Sequence, residues 1–168
     1  MKKNCPKIND GFTLIETVIY IAILSIVIGG GIVSAFYIID SGQKNKIGVN
    51  IQAEGNFLLR KIEWAMTGAA SISVVSPSRL SIIKDTTTGF PPLQNPLVFS
   101  LVGSNLQLTR GVGMATNLNS SNVAVSLVNG VVFTATAGTS AGVTISFILS
   151  SGNPVKSQTF TVTKYLRK

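Results

Sequence analysis

The sequence predicts an α+β protein, with a long N-terminal helix packed on an antiparallel β-sheet domain. The helix is expected to be apolar in its first half and amphipathic in its second. Three observations carry this reading. Residues 12–39 hold no proline and a single charged side chain, Glu16. Residues 40–70 set apolar side chains at helical spacing. After Ser71 the pattern changes to short alternating or β-branched runs parted by turn residues. The expected divisions are a basic leader at 1–11, a membrane-spanning helix at 12–39, its amphipathic continuation at 40–70 and a β domain at 71–168.

Composition narrows the chemistry. The 168 residues include no His and one Cys, and 12% are charged, with a formal charge of +8. Without His the usual general base and the commonest metal ligand are missing. A lone Cys5 allows neither an internal disulfide nor a thiolate cluster. No catalytic residue, metal site or cofactor is expected. The positive balance points to an anionic neighbour such as a membrane face, a nucleic acid or an envelope polymer.

The first helix follows from residues 12–39. Sixteen of these 28 are Phe, Leu, Ile or Val. Together they favour bilayer insertion by about 5–10 kcal/mol. One carboxylate near the end of the span costs about 3 kcal/mol or less, so insertion wins. A helix of this length measures about 42 Å, enough to cross the hydrocarbon core with tilt. A secretory signal would have a shorter apolar centre, and although Val33-Ser34-Ala35 imitates its cleavage site, the run continues to Ile39. A plain membrane anchor remains open. Lys2, Lys3 and Lys7 favour a cytoplasmic N-terminus, although Lys44, Lys46 and Arg60 lie on the other side of the span.

The junction reads Gly11-Phe12-Thr13-Leu14-Ile15-Glu16. A basic leader ends in glycine, the apolar run starts at once, and Glu16 is the first charge within it. Snorkelling to the interface would suffice for Glu16 in an isolated anchor. The junction also resembles the class III leader of type IV pilins and type II secretion pseudopilins, over roughly the first 40 residues. The resemblance implies cleavage between Gly11 and Phe12 by a prepilin peptidase, N-methylation of Phe12, and a pilin-like fold. It also implies an assembly charge pair, in which the Phe12 ammonium of one subunit meets Glu16 of another. Desolvating either charge alone costs several kcal/mol, and pairing offsets that cost, so the pair selects register more than it adds strength. Cleavage would remove three lysines, Asp10 and Cys5, lowering the formal charge from +8 to +6.

Gly29, Gly30 and Gly31 interrupt the apolar run. They serve either close helix–helix approach or a helix weak point, since three glycines cost about 2–3 kcal/mol of helix propensity in water. In the second half Ile47, Ile51, Leu58, Ile62, Ala65 and Ala69 form the apolar stripe. Glu54 interrupts it, and Gly48 and Gly55 weaken it. Trp64 is expected to pack on a sheet. The helix is expected to exit near Ala70.

Strands are expected at Ile72–Val75, Arg79–Lys84, Leu97–Val102, Leu106–Arg110, Val123–Val128, Val131–Ala135, Val143–Leu149 and Gln158–Tyr165. Hairpin connections are expected at Gly103-Ser104-Asn105, Asn129-Gly130 and Ser151-Gly152-Asn153-Pro154. Thr86 to Pro96 reads as a surface loop. Asp85 is the sole acidic residue after Ser71, so this region holds no carboxylate pair and no calcium ligand set. Asn119-Ser120-Ser121 matches a glycan acceptor and is read as coincidence. Arg79, Lys84, Arg110, Lys156, Lys164, Arg167 and Lys168 either form an anion-binding face or are scattered solubilising charges.

The favoured reading is a non-catalytic minor pilin or pseudopilin, with a C-terminus similar to component J of type II secretion. The resemblance implies as partners the prepilin peptidase, other pilins, an inner-membrane assembly platform and the lipid bilayer. It places a single-pass chain in the cytoplasmic membrane, with its C-terminal domain outside, before assembly into a filament. Two alternatives stay open: a DNA-binding or adhesive tip pilin, with nucleic acid as partner, and an independently anchored envelope protein.

Overall fold

The computed structural model describes residues 11–136, 142–152 and 155–166. Two compact units make up the chain, Met1–Lys44 and Asn45–Lys168. One helix, α1 (Leu14–Met66), begins in the first and ends in the second. In the first unit Thr13 caps the helix: its Oγ1 accepts from the Glu16 N–H at 3.4 Å. None of the apolar side chains from Phe12 to Ile39 is buried, and the segment is long and apolar enough to cross a membrane. Asp40 and Lys44 form a surface ion pair at 2.6 Å, one helical turn apart, where solvent screens most of the attraction.

The second unit holds the core. Ile51, Leu58, Ile62, Ala65 and Met66 of α1 are buried, as the helical spacing requires, and Ile47 packs beside them. The helix ends four residues before the expected exit. Gly68 adopts a φ of +69°, the left-handed geometry that stops a helix, and the chain turns directly into β1 (Ala69–Ser76).

Sheet A runs β1, β2 (Arg79–Lys84), β3 (Leu97–Val102), β4 (Asn105–Arg110) and β5 (Thr116–Asn117), all antiparallel and in chain order. Two expected strands, β2 and β3, match their observed limits. The two-residue β5 has too short a pattern to signal itself. Between β2 and β3 lie two single-turn 3₁₀ segments, Thr86–Thr88 and Pro92–Gln94, within the expected loop.

Sheet B is built on β8 (Gly142–Ser151). One edge of β8 takes β9 (Lys156–Tyr165) over its whole length. The other edge takes β6 (Val123–Leu127) and then β7 (Phe133–Thr136), end to end. This corrects the expected hairpin at Asn129-Gly130. Those residues do form the tight turn, with φ of 51° and 81°, but it closes only the single Val128–Val131 bridge. The ten-residue β8 offers enough ladder for both flanking strands, and the Pro77 carbonyl accepts from the N–H groups of Val132 and Phe133. The turn is therefore an excursion within one long edge. At the other connection Gly152 has a φ of +89°, while Asn153 and Pro154 lie outside the described residues.

The strand β9 fastens sheet B to the helix. Side chains on one face of a strand alternate, and Gln158, Phe160 and Lys164 all point at α1. Gln158 donates to Gln52, Phe160 meets Gly55, and Lys164 pairs with Glu63. Gly55 lies on the buried stripe between Ile51 and Leu58, and a Cβ there would fall 2.1–2.5 Å from the Phe160 ring. That ring stacks in turn on Phe147, centroids 5.6 Å apart. The glycine expected to weaken the stripe is the socket for this ring. The opposite face of sheet B carries hydroxyls: Thr144 meets Thr163 at 2.8 Å and Ser146 meets Thr161 at 3.0 Å.

Gly55→Ala sets two effects against each other. Alanine favours the helix by about 1 kcal/mol, whereas forcing a methyl into a packed core costs about 1–3 kcal/mol. The rigid ring has no free end to swing away, so the variant is expected to melt lower in thermal denaturation followed by circular dichroism. In a Phe160→Leu background the same substitution should lose its penalty.

Candidate functional site

The processing junction is extended, and the helix begins just beyond it. Gly11, Phe12 and Thr13 are exposed and precede the first helical residue. A side chain on Gly11 would meet nothing within 4 Å, and the residue does not have a positive φ. Its own fold therefore makes no demand for glycine at this position. Phe12 is 72% exposed.

Phe12, Glu16 and Tyr20 follow one another at intervals of one helical turn, on one face. The Tyr20 hydroxyl donates to Glu16 Oε1 at 3.1 Å, and the Tyr20 and Phe12 rings meet edge to face at 5.9 Å. The Thr13-x-x-Glu16 spacing would permit a reciprocal capping box. Only its Thr13 half is formed, and the carboxylate turns toward Tyr20. No cation among the described residues pairs with Glu16. Sequence reasoning missed Tyr20; the signal was a hydroxyl-bearing ring four residues beyond the lone charge. The basic leader, residues 1–10, lies outside the described residues.

Gly29, Gly30 and Gly31 are helical, and a Cβ on any of them would meet nothing within 4 Å. Packing inside this chain does not explain them. Ser34 Oγ donates to the Gly30 carbonyl at 2.9 Å.

The expected anion-binding residues divide into groups. Lys84 and Arg110 come together at Trp64: Lys84 Nζ is 4.6 Å and Arg110 Cζ 5.5 Å from its ring centroid. Lys61, not among the expected residues, joins them at 5.4 Å. Trp64 thus lies against Lys84 of β2 and Arg110 of β4. Lys84 also reaches the Phe90 ring at 5.2 Å and donates to the Trp64 carbonyl at 3.1 Å. There it supplies the helix C-terminus with the positive charge that the last turn of α1 lacks. Partial burial pushes the Lys84 ammonium below its usual pKa.

The other lysines are elsewhere. Arg79 lies at the far end of β2, about 16 Å along the strand from Lys84. Lys156 and Lys164 stand at opposite ends of β9. Lys164 is bound to Glu63, and its hydrogen bond holds that carboxyl below the usual glutamate range. Arg167 and Lys168 lie outside the described residues.

Asn119 is buried. Its Oδ1 accepts from the Leu106 N–H at 2.9 Å, and its Nδ2 donates to the Val123 carbonyl at 2.6 Å. The side chain ties β4 to the start of β6, and its amide is not available to a glycan. Asn119→Leu would leave both backbone groups buried without partners, at about 1–3 kcal/mol each. A loss of about 2–6 kcal/mol in denaturant unfolding is expected.

Residues 7–32 match the family model described as the prokaryotic N-terminal methylation motif. The match identifies a class III prepilin leader, the mark of the type IV pilin and pseudopilin family. The motif supports a protein of pilin or pseudopilin type, and the leader and long apolar helix fit a membrane-anchored pilin. The motif implies processing by prepilin peptidase and assembly with other pilins. No curated protein and no solved structure matches the chain.

Proposed function

We propose that this chain is a minor, non-catalytic subunit of a type IV pilus or a type II secretion pseudopilus. On this reading a prepilin peptidase cuts it between Gly11 and Phe12 at the cytoplasmic face. An inner-membrane platform then moves it into a filament, with its C-terminal domain outside the membrane. The observation that carries the reading is Glu16: the single charge in the stretch 12–39, one turn from Phe12 and with no cation of its own among the described residues. Cleavage creates an ammonium on Phe12, and a neighbour's Glu16 is its counter-charge. Gly11 supports the same reading, because its own chain leaves room for a side chain there. Gly29, Gly30 and Gly31 are bare in the same way, which fits close approach to the helices of other subunits.

In cells with an active prepilin peptidase, mass spectrometry should find a chain that starts at methylated Phe12. A chain that keeps Met1 refutes the reading. Gly11→Ile should accumulate as the longer, slower-migrating precursor. Glu16→Ala should insert and be processed normally, yet fall at least tenfold in sheared filament fractions. Normal incorporation of that variant would remove the charge pair while leaving the processing step intact.

A further inference from the structure

Three cations converge on one tryptophan, at a place that the proposed filament reading does not use. Lys61 from α1, Lys84 from β2 and Arg110 from β4 all lie within 5.5 Å of the Trp64 ring centroid. None of them has a carboxylate partner among the described residues. The two nearby acids are committed elsewhere: Glu63 to Lys164, and Asp85 to the Thr87 N–H and hydroxyl, at 2.8 and 2.7 Å. One ring attracts a cation over its face, but three cations around it also repel one another. The cluster is a concentration of positive charge that an anion would relieve.

The surroundings narrow the anion. Trp64 is 39% and Phe57 47% exposed, so both aromatic side chains keep accessible surface beside the charges. A groove of about 460 Å³ runs between Phe57, Lys61, Arg110 and Met114, a volume in the range that holds compact organic ligands. Aromatic rings flanked by cations suit a chain that alternates bases and phosphates. In a duplex the base faces are already stacked on one another and cannot reach the ring. We propose that Trp64, with Lys61, Lys84 and Arg110, is a binding platform for single-stranded nucleic acid. Bases stack on the indole and enter the Phe57 groove while successive phosphates meet the three cations. The proposal goes beyond the filament reading and does not depend on it, because every residue involved lies in the second unit.

Trp64 is the sole tryptophan of the chain, so intrinsic fluorescence reports on this site alone. The full chain in non-ionic detergent is titrated with a 20-nucleotide oligothymidylate at 50 mM salt. Expected are quenching of the indole and a log K against log salt slope of about −2, from three phosphates at about −0.7 each. Arg110→Gln, at an exposed residue, and Lys61→Gln, at a half-buried one, should each reduce that slope by about 0.7. Trp64→Ala, followed by anisotropy of a labelled oligonucleotide, should weaken binding about tenfold. Absence of quenching overturns the proposal. So does equal affinity for duplex or for inorganic polyphosphate, which would mean that charge alone is recognised. Quenching by anionic phosphatidylglycerol vesicles but not by the oligonucleotide would make the surface a membrane contact, and would equally overturn it. Unchanged binding in a folded Arg110→Gln variant does so as well.

Discussion

A carboxylate held in a helix that its own chain leaves bare is the constraint on which the first unit depends. Sixteen Phe, Leu, Ile and Val side chains between residues 12 and 39 find no cover within the molecule. Lipid or other helices must supply it. The only charge in that stretch therefore has to follow the apolar side chains into whatever covers them. Tyr20 satisfies part of the demand by donating to Glu16, but a hydroxyl does not neutralise a carboxylate. A full positive charge does, and the proposed cleavage before Phe12 would supply one as the new terminal ammonium. Because desolvation and pairing nearly cancel, such a pair favours the correct register over all others and adds little to overall binding.

The second half of the helix solves a different problem in water, and its solution was partly legible. The stripe Ile51, Leu58, Ile62 and Ala65 was readable because helical periodicity is a local signal. Gly55 was not, because its meaning lies in Phe160, more than a hundred residues later. In isolation a helical glycine is only a propensity cost; opposite an aromatic ring it is the space the ring occupies. The same distinction explains the strands. Runs such as Arg79–Lys84 signal themselves by alternation. Whether Asn129-Gly130 makes a hairpin depends on a third strand long enough to take both neighbours.

The basic residues show what a count of charge omits. The seven Lys and Arg after Ser71 allowed two readings, one anion-binding face or scattered charges, and the five described ones divide among β2, β4 and β9. Lys164 shares its parity with Phe160, the buried aromatic of an otherwise polar strand, so it faces the helix and meets Glu63. That parity was available in the sequence. The meeting of Lys84 and Arg110 was not, because they stand on different strands with β3 between them, and Lys61 comes from the helix.

Charge in the second unit is sparse, and this gives its placement meaning. The outer face of sheet B is kept polar by hydroxyls that pair across β8 and β9, so solubility there does not require lysines. Where hydroxyls serve that purpose, cations can be confined to particular sites. Of the eight lysines and arginines described in the second unit, three meet on one indole ring. Lys164 is bound to the helix through Glu63. Spreading the three across open sheet would lower their mutual repulsion. Their concentration beside exposed aromatic surface carries a mutual repulsion in the isolated chain, and the anionic occupant proposed above would offset it.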